Sequence, residues 1–213
     1  MPKERVMVVC AHPDDEVFGM GGTIAKYVQE GKEVTVLRFS FGEKSHQWLK
    51  ESVTKKIRSM ESDRVQEFLG FKSVISLGLE EGTFSEQKQQ IADKLVTYIK
   101  ALKPHVIFTH NIMDPHTDHN AVGIIVMEAV EKIRFKGEMY MFDVWNVLNF
   151  RRIDHPKLYV DITATFSKKV GALKLFKSQW TSMISLLWSV YFRAILHGLA
   201  LNVRFAERFY RIK

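Results

Sequence analysis

The sequence predicts an α/β fold built on a mainly parallel sheet with helices on its faces. Short apolar runs alternate with longer segments whose apolar residues recur at helical spacing, through about two-thirds of the chain. This alternation requires crossover connections, which place successive strands parallel. Two polar segments rich in histidine and acid each follow an apolar run. Because open α/β sheets bind ligands at the carboxyl ends of their strands, these segments predict the functional site.

Five apolar runs are the predicted strands of the core, at residues 6–10, 34–39, 74–77, 106–109 and 139–145. The predicted helices span residues 17–29, 51–69 and 87–102, with a fourth that begins at Thr117 or Asn120 and ends at Ile133. Gly70 and Pro104 stand where the second and third helices should end.

The pattern is looser after residue 146. We expect an edge strand at 158–162, a helix at 165–179 and a strongly apolar segment at 182–201. Residues 1–213 are therefore expected to form one domain, with a core of residues 1–146 and a C-terminal extension of residues 147–213. Arg193 and His197 interrupt the apolar segment, so we expect it to pack on the sheet or between subunits of a homo-oligomer, without stable membrane insertion.

The composition is that of a globular protein, with 46% hydrophobic and 26% charged residues among 213. A disulfide cannot form within the chain, because Cys10 is its one cysteine. This fits a reducing compartment, and no leader precedes the first strand, so we expect a cytoplasmic protein.

The net charge of +7 is concentrated at the C-terminal end. Residues 151–213 hold 12 basic and 3 acidic side chains, whereas residues 1–150 hold 19 and 21. Such a region could meet nucleic acid, an anionic membrane or an acidic substrate. No module of interleaved aromatic and basic residues is evident, so we expect a solvated face or a subunit contact and no nucleic acid.

The first polar segment is Ala11-His12-Pro13-Asp14-Asp15-Glu16, directly after the first predicted strand. Three acids and an imidazole this close would repel one another or remain hydrated, whereas a divalent cation takes both as ligands. We expect His12 and Asp15 to hold a metal and Asp14 to face a bound water. The nearby Gly19, Gly21 and Gly22 match no nucleotide-binding motif and are expected to let the first helix approach the sheet.

The second segment, residues 114–119, follows the fourth strand. His116 and His119 are three residues apart and share one face if a helix has begun there. One imidazole can complete the metal site while the other moves protons, and Asp118 can fix an imidazole tautomer. Two histidines and a carboxylate suit one zinc ion with an open position, although iron(II), cobalt and manganese accept the same ligands. The other histidines, including His110, are expected to be structural.

With both segments, the chain resembles the PIG-L/LmbE-like family of zinc-dependent N-acetylglucosaminyl deacetylases. The resemblance extends over nearly the whole chain and is most specific at residues 6–22 and 114–122. Further matches are Arg58 and Glu61 of an R-x-x-E helix followed by Leu69-Gly70, Lys177-Ser178-Gln179, and Phe205-Ala206-Glu207-Arg208-Phe209.

The resemblance implies a Rossmann-like fold and a role for each matched residue. His12, Asp15 and His119 would be the metal ligands, and Asp14 the general base that takes a proton from water. Protonated His116 would stabilise the oxyanion, with Asp118 tuning it, and Arg58 would help to hold the sugar.

The chain departs from the family pattern at two positions. Glu81 stands where the family often has aspartate, and Asp114 stands where some members have tyrosine. The loop at residues 41–49, which carries Glu43, is expected to line the entrance. Glu43 and Glu81 are therefore candidate substrate-binding residues together with Arg58.

The implied reaction is hydrolysis of the N-acetyl group of an N-acetylglucosamine-type sugar or conjugate. One alternative is an amidase that cleaves a larger acyl or thiol conjugate of an amino sugar. A second is a non-catalytic sugar- or nucleotide-binding protein on the same fold, and a third is a membrane-surface protein that uses the basic C-terminal part.

Overall fold

A computed structural model describes residues 3–46, 48–145 and 155–213 of the chain. The predicted boundary between core and extension, at residues 146 and 147, lies outside the described residues. The strands are β1 (Arg5–Cys10), β2 (Glu33–Arg38), β3 (Ser73–Ser76), β4 (Val106–His110), β5 (Glu138–Phe142), β6 (Lys157–Asp161) and β7 (Ala206–Arg211). The helices are α1 (Asp15–Gln29), α2 (Glu51–Leu69), α3 (Lys88–Leu102), α4 (Thr117–Lys132), α5 (Phe166–Leu173) and α6 (Trp180–Leu201).

The described strands form one sheet in the order β3-β2-β1-β4-β5-β7-β6. The first five are mutually parallel, and β7 runs antiparallel to both of its neighbours. The prediction of an α/β fold with a mainly parallel sheet is confirmed, as is the edge position of β6. The chain reverses its order of strand addition between β1 and β4, and this switch point is where such sheets bind ligands.

The core has two layers because alternate residues of each strand face opposite sides of the sheet. Val6, Val8 and Cys10 of β1 pack with α1, α2, α5 and α6, whereas Met7 and Val9 pack with α3 and α4. The central strands are buried on both faces, which explains their continuous apolar runs.

The C-terminal part differs from the prediction in two ways. The helix expected at 165–179 is wrong: α5 ends at Leu173, and a separate 3-10 turn, Lys177–Gln179, precedes α6. Strand β7 was not predicted, because Glu207 and Arg208 interrupt its apolar pattern. It nevertheless lies inside the sheet, between β5 and β6.

Glu207 is buried because it closes a break in α1. Met20 has non-helical backbone angles (φ −149°, ψ 25°), so the helix starts again after it. Glu207 accepts hydrogen bonds from the freed N–H groups of Gly22 (3.1 Å) and Thr23 (2.7 Å). Lys169 Nζ pairs with Glu207 at 2.6 Å and donates to the carbonyl oxygen of Phe18 at 2.8 Å. The Lys169–Glu207 pair thus fixes the direction of the first turns of α1.

The glycines of α1 allow it to lie close to neighbouring elements, as expected. A Cβ atom at Gly19 would overlap the ring of Phe142 in β5, and one at Gly22 would overlap Ile162. The first turns of α1 are therefore held against the sheet end where β1 and β4 finish.

Candidate metal centre

The first polar segment forms a tight turn between β1 and α1. Asp14 has a positive φ of 100°, a conformation that costs a non-glycine residue free energy and that clusters at functional sites. Its carbonyl oxygen accepts hydrogen bonds from the N–H groups of Val17 and Phe18. The carboxylate of Asp15 accepts from the His12 N–H at 2.8 Å. The turn therefore holds His12, Asp14 and Asp15 side by side.

The second segment forms the start of α4. His116 is the residue before the first helical turn, and its Nδ1 accepts from the Asp118 N–H at 3.2 Å. His119 lies in the first turn and is almost fully buried. The spacing of three residues stacks the two imidazole rings, with centroids 4.4 Å apart.

The two segments meet in one cluster of side chains. His12 Nε2 lies 3.1 Å from Asp118 Oδ2, and the rings of His12 and His116 are 5.2 Å apart. His119 Nε2 lies 3.2 Å from Asp15 Oδ1. The expected convergence of the two segments is thus what the structure shows.

His119 is held on its other side by Asp114. Its Nδ1 lies 3.2 Å from Asp114 Oδ1. Asp114 is itself fixed by the N–H groups of His116, Val144 and Trp145. An acid behind a histidine in this way orients the ring when the other nitrogen binds a metal. The sequence indicated Asp114 only as a departure from the family pattern, not as a partner of His119.

His110 was expected to be structural, and the structure places it in the wall of the site. Its ring stacks on that of His119 with centroids 4.1 Å apart. Its Nε2 accepts the Ala11 N–H at 3.0 Å and lies 3.3 Å from Asp15 Oδ2. Burial lowers the pKa of His110 to about 4, helped by the neighbouring His119, so the ring is neutral at pH 7. The sequence did contain a sign of this role, because His110 directly follows the fourth predicted strand, which lies beside β1.

Buried ring nitrogens in this cluster lack hydrogen-bond partners. Both nitrogens of His119 and Nδ1 of His110 have none among the described residues. The nearest acceptors are carboxylate oxygens of Asp15 and Asp114, each 3.2 Å from one ring nitrogen of His119. Buried polar atoms are otherwise nearly always paired, so these nitrogens indicate a missing ligand such as a cation.

Three groups of side chains bring their ligand atoms within 4.8 Å of one another among the described residues. The groups are His12, His116 and His119; Asp15, His110 and His119; and His12, Glu81 and Asp118. The expected ligands His12, Asp15 and His119 are divided between the first two groups, which share His119. Nitrogen and carboxylate oxygen donors of this kind fit zinc or another divalent transition metal.

Protonation in the cluster responds to its carboxylates. Burial alone would lower the pKa of His12, but its contacts with Asp118 and Asp15 raise that pKa to about 10. Burial would likewise lower the pKa of His119, which Asp15 and Asp114 raise to about 9. The carboxylates around His12 and His119 therefore favour a positive charge in this cluster.

Asp14 faces the cavity next to Arg58. Arg58 Nη2 lies 3.4 Å from Asp14 Oδ2 and also donates to the carbonyl oxygen of Pro13. Burial raises the pKa of Asp14 to about 7, although the charge of Arg58 opposes this shift. Arg58 therefore holds both the backbone and the carboxylate of this turn.

Asp118 was expected to tune His116, and its charge does raise the pKa of that ring against the effect of burial, but its carboxylate makes its closest contacts elsewhere. The carboxylate contacts His12 Nε2 and accepts from the N–H of Gly82 at 3.1 Å. The backbone N–H of Asp118 contacts His116 instead. Because His116 Nδ1 accepts this hydrogen bond, a neutral ring carries its proton on Nε2, so the expected protonated imidazolium is not required.

The two candidate glutamates behave differently. Glu81 Oε1 lies 3.2 Å from His12 Nε2, and Glu81 lines the cavity as expected. Glu43 does not line it: its buried carboxylate accepts from the N–H groups of Phe41 (3.2 Å) and Glu81 (3.4 Å). The expectation that Glu43 contacts substrate is therefore wrong. Its carboxylate instead joins the loop at Phe41 to the loop at Glu81.

The cluster opens into a cavity of about 460 Å³, a size typical of small-molecule sites. The C-terminal part supplies one wall through Gln179 and Leu186. Glu61 fixes this wall, since its carboxylate accepts from the N–H and hydroxyl of Ser178 at 2.8 and 2.6 Å. This contact joins the R-x-x-E helix to the S-Q segment in the fold.

Relatives of the chain include a probable N-acetyl-alpha-D-glucosaminyl L-malate deacetylase 2 from Bacillus cereus. It is 28% identical in an alignment of 193 positions that covers 85% of this chain and 86% of the relative. A 4-oxalmesaconate hydratase from Pseudomonas putida is 26% identical, and the alignment covers 92% of this chain and 80% of the hydratase.

Among solved structures, the N,N'-diacetylchitobiose deacetylase of Pyrococcus horikoshii has the same fold. The two chains align with a TM-score of 0.85 and 22% sequence identity, and the alignment covers 98% of this chain and 84% of the deacetylase chain. The sequence profile described as GlcNAc-PI de-N-acetylase (PIG-L) matches residues 7–130, which contain both polar segments and more than half of the chain. The chain therefore belongs to the PIG-L family.

Proposed function

We propose that the protein is a metal-dependent hydrolase that removes the N-acetyl group from an N-acetylglucosamine-type amino sugar or its conjugate. The observation that carries the proposal is the meeting of the two polar segments in one cavity, where His119 has two unpaired ring nitrogens. Family membership and a deacetylase relative that covers most of the chain support the same reaction.

His12, Asp15 and His119 are the proposed ligands of one zinc ion. They come from both segments, and their donor atoms suit a catalytic site that leaves one position open. A bound zinc ion would polarise the acetyl carbonyl and lower the pKa of a water molecule to about 7. Asp114 and His110 hold His119 from the side away from the cavity.

Asp14 is the proposed general base. Its carboxylate lines the cavity beside His12, and Arg58 and the strained backbone fix its position. It takes a proton from the attacking water and can return one to the departing nitrogen. A positioned base of this kind contributes about 10²–10⁴ in rate.

His116 is the proposed donor to the oxyanion of the tetrahedral intermediate. Its ring is half-buried and lines the cavity, and the hydrogen bond at Nδ1 leaves Nε2–H free to donate. One such donor is worth about 10²–10³ in turnover. Arg58 and Glu81, which also line the cavity, are the proposed contacts to the sugar.

A substrate panel tests the proposal. Purified protein with one equivalent of zinc is incubated with N-acetylglucosamine, its glycosides and its conjugates, and the free amine is measured. Acetate and amine in equal amounts are expected from at least one compound. Release of a larger acid with no acetate would favour the amidase, and sugar binding without turnover would favour a binding protein.

The hydratase relative makes one further assay necessary, because the sequence identity of this chain to the hydratase (26%) is close to its identity to the deacetylase (28%). The same preparation is assayed with 4-oxalmesaconate. Consumption of this compound, together with no amine from the sugar panel, would overturn the deacetylase proposal while leaving the family assignment in place.

A further inference from the structure

Helix α6 exposes a continuous row of large apolar side chains, here called the α6 apolar face. Its members are between 41% and 72% exposed. They are Trp180, Ile184, Trp188, Tyr191, Phe192, Ile195, Leu196 and Leu199. Their spacing of three and four residues places them on one side of the helix along its whole length.

The opposite side of α6 packs on the protein. Met183, Leu186, Val190 and Ala194 are buried in the core layer that also contains α1 and α5. Arg193, the one charged side chain of the helix, turns inward and donates to the carbonyl oxygen of Asp143 at 3.0 Å. The α6 apolar face therefore carries no charge of its own.

The exposed apolar area is large for a free surface. A large aromatic side chain offers roughly 150–250 Å², so the four aromatic members, each about half exposed, leave about 400 Å² uncovered, and the four aliphatic members add to this area. Soluble monomers rarely expose a contiguous patch above a few hundred Å². An occupant for this face is therefore needed.

A transmembrane orientation does not fit the way α6 is held. Within the described residues, only the segment Met183–Leu201 is long and apolar enough to cross a membrane. However, α6 starts directly after the turn that Glu61 holds and leads into β7, which lies inside the sheet. The helix lies along the domain, with one side covered by protein.

The charges around the α6 apolar face select the occupant. Residues 162–206 contain six basic side chains and no acidic one, and two of the six, Lys169 and Arg193, are turned inward. Lys177 and Arg204 are exposed just before and just after α6, and Lys174 is exposed at the end of α5. Helix α5 is adjacent, since Phe166 contacts Tyr191 with centroids 5.0 Å apart. A second copy of this chain would bring the same positive charges against each other, whereas an anionic surface would complement them.

We propose that the α6 apolar face docks the protein on an anionic phospholipid bilayer as a helix lying in the membrane plane. Trp188 and Tyr191 are residue types that prefer the headgroup region, and flanking lysines attract anionic lipid. Gln179, which lines the candidate active-site cavity, immediately precedes Trp180. Docking would therefore hold the cavity close to the bilayer surface.

Vesicle co-sedimentation tests the proposal with the full chain. Vesicles of phosphatidylcholine alone are compared with vesicles that also contain phosphatidylglycerol, at low and high salt. Strong sedimentation with the anionic vesicles, weakened by salt, is expected. Light scattering of the lipid-free protein measures its oligomeric state in the same buffer.

Two variants separate the apolar and the charged contributions. Replacement of Trp188 and Leu199 by Ser removes exposed side chains, so the fold should persist while vesicle binding is lost. K174E with K177E should weaken binding to anionic vesicles by about tenfold or more. K94E with K100E on α3 is the matched control and should bind like the unchanged protein.

Three results would overturn the proposal. The first is no sedimentation with anionic vesicles at low salt, and the second is equal binding to neutral and anionic vesicles. The third is a stable dimer or larger oligomer that the Trp188 and Leu199 substitutions dissociate, because a second copy would then occupy the face. None of these outcomes depends on the deacetylase activity.

Discussion

Two clusters of buried charged side chains lie on either side of the first turns of α1, and they differ in how their polar atoms are paired. In the Lys169–Glu207 pair, the ammonium and both carboxylate oxygens have hydrogen-bond partners, including the backbone at the break in α1. In the metal-site cluster, both nitrogens of the equally buried His119 lack a hydrogen-bond partner among the residues that the structure describes.

The difference separates a structural cluster from a ligand-binding one. A buried charge that is fully hydrogen-bonded is satisfied by the fold alone. Ring nitrogens that are buried and unpaired require a ligand to compensate their lost hydration. Substitutions in the metal-site cluster should therefore change metal content and turnover, whereas those in the Lys169–Glu207 pair should change stability.

The largest effect is expected for His119→Ala. Loss of a shared ligand should remove the metal and lower turnover by at least about 10³, a loss larger than that expected for a single catalytic donor. Metal content by plasma mass spectrometry and amine release from the best sugar substrate are the measurements. His155→Ala, at an exposed position, is the control and should keep both. A His119→Ala protein with full metal content would show that His119 is not a ligand.

Asp14→Asn should reduce turnover by about 10²–10⁴ while the protein keeps its metal. The amide keeps the shape of the side chain but cannot accept the proton of the attacking water. Asp63→Asn, exposed on α2, serves as the control. Near-normal turnover of Asp14→Asn would remove Asp14 from the role of general base.

Glu207→Gln should lower the free energy of unfolding by about 3 kcal/mol or more, because it leaves the buried Lys169 charge without its partner. Chemical denaturation measures this change, and Lys169→Met in the same chain should recover part of it. The exposed Glu138–Arg211 pair is the comparison, where Glu138→Gln should cost less than about 1 kcal/mol. Equal losses at the two sites would contradict the structural role of the Lys169–Glu207 pair.

The smallest effect is expected for Asp114→Asn, which weakens the support behind His119. Metal affinity should fall by about ten- to a hundredfold, since carboxylates behind metal-bound histidines contribute this much. Competition with a chromogenic chelator gives the affinity. An unchanged affinity would mean that Asp114 does not orient His119 for metal binding.

The sequence was sufficient for the parts of the fold that local pattern controls. The apolar runs of β1 to β5 and the periodicity of α2 and α3 are signals contained within each segment. Strand β7 was missed because Glu207, which it carries into the sheet, is satisfied by Lys169 and by α1, both distant in the sequence. The helix predicted over residues 165–179 breaks after Leu173 without a proline.

The candidate site shows the same limit. Spacing and residue type predicted that the two polar segments meet, because each follows a strand end at the switch point, whereas the choice of His119 over His116 as a ligand came from the family resemblance. Spacing and residue type could not show which neighbours an individual side chain contacts. In the structure Glu43 faces the backbone of Phe41 and Glu81, and the carboxylate of Asp118 contacts His12.

One cation, held by both polar segments, is expected to be required for hydrolysis. The most direct measurement is the metal content of protein purified without added metal, followed through chelation and zinc readdition together with amine release. About one divalent transition metal ion per chain is expected, with metal and activity lost together and restored together. Full activity in protein that chelation has freed of metal would contradict the account.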